Sequence, residues 1–182
     1  MVRYAPIVLA ACTYGAGVGV SGALGPAGAR DLEARVSGVA GVGTADFDAD
    51  PARSDAASYR IEGSLGTDRD GVAGGFFVGG EYMRFIDSTY AWHAQVFDGL
   101  HFSHSSTDDV FVAASGIQRL IEHHRRGRYE LGVTSIALDM FAGYAFRITD
   151  DYSWIHRGPT FGLTVSLRYD VIKDLRDNLK AY

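Results

Sequence analysis

The chain has one cysteine in 182 residues. That excludes an intramolecular disulfide and any zinc site built on paired cysteines. A strong charge of one sign is also missing: the formal net charge is −5, with acids and bases mixed along the chain, so there is no electrostatic footprint for nucleic acid. No run of about 18 uninterrupted apolar residues occurs, which excludes a transmembrane helix. No internal repeat beyond a strand period is present. Four prolines stand against 23 glycines, and many of those glycines lie inside alternating apolar segments. Strands that curl, or that pass close to other backbone, use glycine in that way. The run Gly15-Ala16-Gly17-Val18-Gly19 lacks the lysine-serine pair and helix that a phosphate-binding loop requires. No cofactor is expected. The length suits one domain, and the 47% apolar fraction is ordinary for a globular or barrel protein.

What is present begins with Met1-Val2-Arg3 and an apolar run from Tyr4 to Ala11. This is the order of a charged region followed by the hydrophobic region of an export signal, too short to span a bilayer as a helix. The tetrad Leu9-Ala10-Ala11-Cys12 resembles the bacterial lipobox, which implies lipidation of Cys12 as the mature N-terminus. A rival cut stands at Ala27-Gly28-Ala29, before Arg30. The third alternative is a buried thiol in a first strand. The first two mean export. The domain division expected is a leader over 1–12, a barrel over 13–172 and a polar, helical tail over 173–182.

Alternation dominates the rest. From Thr160 to Val171 every odd-numbered residue is apolar or aromatic and every even-numbered one is small, polar or charged. Side chains on a strand point to opposite faces with period two, so this is one greasy face and one polar face. Tyr59-Ile61-Gly63-Leu65 against Arg60-Glu62-Ser64-Gly66 repeats the pattern, as does Tyr90-Trp92-Ala94-Val96 against His93-Gln95; Asp98 breaks the latter's apolar face. Turn clusters separate about eight such segments. Ile117 to Arg125 reads equally as a strand or as a short amphipathic helix.

Eight antiparallel strands with turn-only connections predict an all-β, up-and-down antiparallel β-barrel. The polar face carries Arg60, Glu62, Glu81, His93, His101, Asp139 and Arg168, interleaved with glycines that leave them room. Charges of both signs can neutralise in pairs inside a narrow lumen, so these residues are assigned to a polar, filled interior. The opposite face is rich in tyrosine, tryptophan and phenylalanine, several near strand ends, where the aromatic girdles of membrane barrels sit. The pattern over most of residues 13 to 172 is similar to that of the small eight-stranded outer-membrane barrels of Gram-negative bacteria. The resemblance implies an outer-membrane location, a monomer whose partner is outer-membrane lipid, and a structural or interaction role. It departs from such barrels at the C-terminus, where a charged tail follows the last strand. An eight-stranded barrel is just wide enough for its own side chains, so no solute pore is expected. The alternative is a soluble, ligand-binding barrel of calycin type, secreted or periplasmic.

One cluster hints at chemistry. In His101-Phe102-Ser103-His104-Ser105-Ser106, either His101 with Ser103 or His104 with Ser106 has the spacing of a base and a nucleophile on one strand face. The element resembles the His-x-Ser of outer-membrane lipid A deacylases, which implies a carboxylate to orient the histidine, with Glu122 as the available candidate. The plainer alternative makes His101 and Ser103 lumen filler and His104 to Asp108 a polar loop. His123-His124-Arg125-Arg126 is a basic cluster suited to lipid phosphate or to a solvated turn. No metal site is expected there, because adjacent histidines on a strand point to opposite faces.

Overall fold

The computed structural model describes residues 12–24, 30–42, 44–46, 55–68, 71–103, 106–126, 130–148 and 154–173. Nine segments carry the sheet: β1 (Cys12–Leu24), β2 (Arg30–Val42), β3 (Thr44–Asp46), β4 (Asp55–Asp68), β5 (Gly71–Phe85), β6 (Tyr90–Phe102), β7 (Thr107–Arg126), β8 (Glu130–Ile148) and β9 (Trp154–Lys173). β3 continues β2 along the same edge of β4, so the segments form eight strands in space. Every pairing is antiparallel and joins chain neighbours, except that β9 returns to β1. That last pairing closes the sheet into an up-and-down barrel.

Local chemistry supports the connections. Asp87 accepts hydrogen bonds from the backbone N–H of Thr89 (2.6 Å) and of Tyr90 (2.8 Å), closing the turn between β5 and β6. The ambiguous segment from Ile117 to Arg125 is strand, paired with β8 through Arg126 and carrying a bulge between Leu120 and Glu122. Exposure there alternates with period two: Ile117 and Arg119 face out, Gln118 and Leu120 in. A ladder along a full-length neighbour outweighs the segment's weak helical preference.

The register is staggered. Followed strand by strand from Tyr14, it returns to β1 at Leu24, ten residues further on (24 − 14). Such a shear requires tilted strands, at roughly 40° to the barrel axis. Each step to the next strand then shifts the level by roughly 1.25 residues, and each residue adds roughly 2.5 Å of height.

Placed on those levels, the outer face resolves into bands. Val18, Val36, Ile61, Val78, Val96, Leu138 and Val165 occupy the middle, all exposed. Tyr14, Tyr59, Tyr82, Tyr90, Trp92 and Tyr169 ring the rim where β1 begins and β9 ends. Phe76, Phe102, Phe111, Tyr144 and Phe161 ring the other. The two rings stand roughly 20 Å apart.

The interior has three layers. Nearest the chain ends, Met83, Phe85, Leu120, Leu131, Val133 and Ile172 pack together. Toward the opposite rim, Phe77, Phe97, Val110, Val112 and Phe141 form a second apolar plug. Charged residues fill the space between. The polar, filled interior expected from sequence is thus a middle layer, sandwiched between two apolar ones. Glycine makes this possible. A Cβ on Gly75 would lie 2.6 Å from the Phe77 ring, and one on Gly162 would strike the Phe141 ring, so lumenal glycines give space to phenylalanines as well as to charges.

Candidate functional site

The middle layer is built by alternation: on β4, β5, β6, β8 and β9 the polar member of each outward-inward pair faces the lumen. Arg60, Glu62, Glu81, His93, Asp139 and Arg168 are all buried there. Glu81 on β5 is the hub. Its carboxylate accepts from Arg60 Nη1 (2.8 Å), from Gln95 Nε2 (2.8 Å), and from both Nη1 (2.7 Å) and Nη2 (2.8 Å) of Arg168. The forked geometry of the Arg168 contact is the strong form of such a pair. Asp170 lies 3.1 Å from Arg168 Nη2.

A second chain of bonds runs through His93. Its Nε2 meets the Asp139 carboxylate and its Nδ1 meets the Gln118 amide, whose oxygen accepts from Ser135 Oγ at 3.1 Å. Arg168 Nη1 stands 3.4 Å from His93 Nδ1, which links the two groups. Gln118, Ser135 and Asp170 were not singled out from sequence. The signal existed: each has the strand parity of an assigned lumen residue or of its register partner.

His101 is corrected. It lies eight residues along β6 from His93, roughly 26 Å away, beyond the phenylalanine plug and outside the network. It is half-buried at the far rim and faces Asp108 in register. The base-and-nucleophile geometry gains no support there. Ser103 donates its backbone N–H to the Ser106 carbonyl (2.8 Å), and the two hydroxyls are 3.0 Å apart, so both serines close a turn. His104 lies outside the described residues. Glu122 pairs with Thr134, fourteen residues along β7 from Asp108 and roughly 45 Å from His101. It cannot orient that histidine. The carboxylate that is near, Asp108, faces Arg147 (3.7 Å) and Arg157 (3.8 Å).

Cys12 opens β1 opposite Val42. Residues 1–11, the rival cut at Ala29 and the tail from 174 lie outside the described residues. Cleavage before Arg30 would delete β1, which pairs with both β2 and β9. The basic cluster sits at the tip of the β7–β8 hairpin, where His124 covers Gly132. Among the described residues no group of three histidine, cysteine or acidic side chains is placed to hold a metal ion.

A space of about 30 Å³ remains beside the network, bordered by Arg60, Glu62, Asp139, Thr164 and Arg168. It has room for water and not for a solute. A calycin-type barrel would need its apolar faces turned inward around a ligand cavity. Here they are turned outward, which overturns that alternative.

No family model matches the chain, and no curated protein sequence does. Among solved structures, the crystal structure of Neisserial surface protein A is similar over 90% of this chain and 97% of that one, at 10% identity and a TM-score of 0.41. The fold assignment rests on the strand register described above.

Proposed function

We propose that this protein is a transmembrane β-barrel of the bacterial outer membrane, monomeric, plugged, and serving as a structural or interaction scaffold. One observation carries the reading: a closed barrel whose exposed face is aliphatic in the middle and aromatic at both rims, with a charged network buried inside. An apolar band about 25 Å tall between aromatic girdles is what a lipid-facing barrel surface requires. In water the same surface would leave Leu163, Val165 and Leu167, each about half exposed, in contact with solvent along a single strand. Both apolar plugs block the lumen, so the scaffold does not conduct solutes. Outer-membrane lipid is its partner, and the export signal read from Met1 to Cys12 supplies the route.

The test is reconstitution. The urea-unfolded chain should fold on dilution into phospholipid vesicles, and the folded form should migrate differently from the boiled form on a gel. Monomeric folding in plain buffer would sink the reading. The role is non-enzymatic. Refolded protein should hydrolyse lipid A and phospholipid esters no faster than an unrelated barrel, and turnover lost in His101→Ala would reverse that assignment.

A further inference from the structure

On the rim where β1 begins, two arginines interrupt the outer aromatic girdle. Arg84 on β5 stands opposite Trp92, and Arg119 on β7 stands opposite Tyr90. The four residues thus lie in one exposed patch across three strands. Strand spacing and rise put the two arginine Cα atoms roughly 12 Å apart, a gap that two long stems can close onto one group between them. Trp92 is fixed beneath them, donating its indole N–H to Ser115 Oγ at 3.0 Å and meeting the Tyr82 ring edge-on at 6.0 Å.

Toward the middle of the barrel, the same three strands carry small outer side chains: Gly80, Ala94 and Ser115. Ala94 lies opposite Ser115 on one side and Tyr82 on the other. A Cβ on Gly80 would meet nothing nearer than a backbone oxygen at 3.9 Å. Bulky Val78 and Ile117 stand close by on the same face, both exposed, so the small residues form a shallow strip in the apolar band, with the Tyr82–Trp92 pair between it and the arginines.

We propose that this patch binds an anionic phospholipid, its phosphate held between Arg84 and Arg119 and one acyl chain lying along Gly80, Ala94 and Ser115. The proposal rests on the membrane-spanning reading. Charge complementarity selects the occupant. The arginines stand level with the tyrosine girdle, where headgroups meet hydrocarbon. Asp55, opposite Arg84, pairs with its Nε at 3.7 Å; both side chains are exposed, so the pair is weak and a phosphate that meets both arginines can displace it. Asp87 lies further out, in the turn between β5 and β6. The other half of the barrel offers the reverse: exposed Asp98, toward the edge of the apolar band, and Asp109 beside it stand on the outer face and repel phosphate. The site therefore serves only the leaflet on the side of the chain ends. A headgroup with net negative charge is preferred because a zwitterionic one carries a cation that competes with the arginines.

The full chain is refolded into vesicles of phosphatidylcholine alone and of phosphatidylcholine mixed with phosphatidylglycerol. The thermal midpoint is read in each, and lipid retained after detergent extraction is identified by native mass spectrometry. The wild type should retain phosphatidylglycerol and melt higher in the mixed vesicles. The double variant Arg84→Gln, Arg119→Gln should lose the midpoint gain and retain about tenfold less phosphatidylglycerol, as expected for removing charge-assisted contacts. Ala94→Leu should lower retention while leaving the midpoint in pure phosphatidylcholine unchanged. A gain that persists in the double variant, or a wild type that retains no phosphatidylglycerol, overturns the site. A wild type that enters neither vesicle overturns the membrane reading itself, a result distinguishable from the others. Inorganic phosphate added to the phosphatidylcholine sample should not raise the midpoint; if it does, a free anion and not a lipid is the occupant, and the proposal fails.

Discussion

Arg168 on β9 grips both carboxylate oxygens of Glu81 on β5 across the lumen, at 2.7 and 2.8 Å, with both residues almost wholly buried. Strands on opposite sides of the barrel are thereby tied through its centre. The pair sits between two apolar plugs, which separate it from bulk water at both ends.

Removing one member should therefore be costly. Glu81→Gln or Arg168→Met is expected to destabilise the folded barrel by about 3–5 kcal/mol, because the remaining charge stays buried without its partner. Urea unfolding of vesicle-inserted protein measures this. A double-mutant cycle should show the two losses to be strongly non-additive. Additive losses would mean that the fork contributes no coupling.

Depth should govern substitutions on the outer face. Val165 lies in the mid-band and Tyr169 on the girdle of the same strand, both outward. Val165→Arg is expected to cost about 2–4 kcal/mol, and Tyr169→Arg only about 0–1 kcal/mol from burial of the charge, beyond the loss of the ring. The same unfolding assay in vesicles compares them; equal costs would mean that no hydrocarbon surrounds the barrel.

Asp98 is the exception in the apolar band, exposed on β6 between Val96 and Leu100. An acid facing hydrocarbon is unfavourable, though less so than a base. Asp98→Val should raise stability in vesicles by about 1 kcal/mol. A decrease instead would assign Asp98 a stabilising contact in the membrane.

The N-terminal strand provides a further check. β1 holds thirteen residues in register with β2 and joins β9 on its other edge. Protein isolated from membranes should retain Cys12–Leu24 by intact mass, and a chain begun at Arg30 should not fold in vesicles. If Cys12 is the lipidated terminus, Cys12→Ser should abolish palmitate labelling while the barrel stays in the membrane fraction, since a single acyl chain adds only marginal anchoring.

Period-two alternation, read residue by residue, determined the strands, their number and which side chains share a face, because strand geometry leaves a side chain only two directions. It therefore picked out Arg60, Glu62, Glu81, His93, Asp139 and Arg168 as one polar set. Alternation carries no information about height along the barrel. Only the packing of the lumen decided that a phenylalanine plug separates His101 from His93, and only the pairing of β6 with β7 decided that Glu122 lies at the opposite end from the serines. The stagger of the closed barrel aligned tyrosines from distant parts of the chain into one girdle, and the register of β6 with its two neighbours brought Arg84 and Arg119 to either side of Tyr90 and Trp92. The pairings of Glu81 were likewise unreadable in sequence, since its donors come from β4, β6 and β9, and the curvature of the closed sheet alone brings those strands to face one centre.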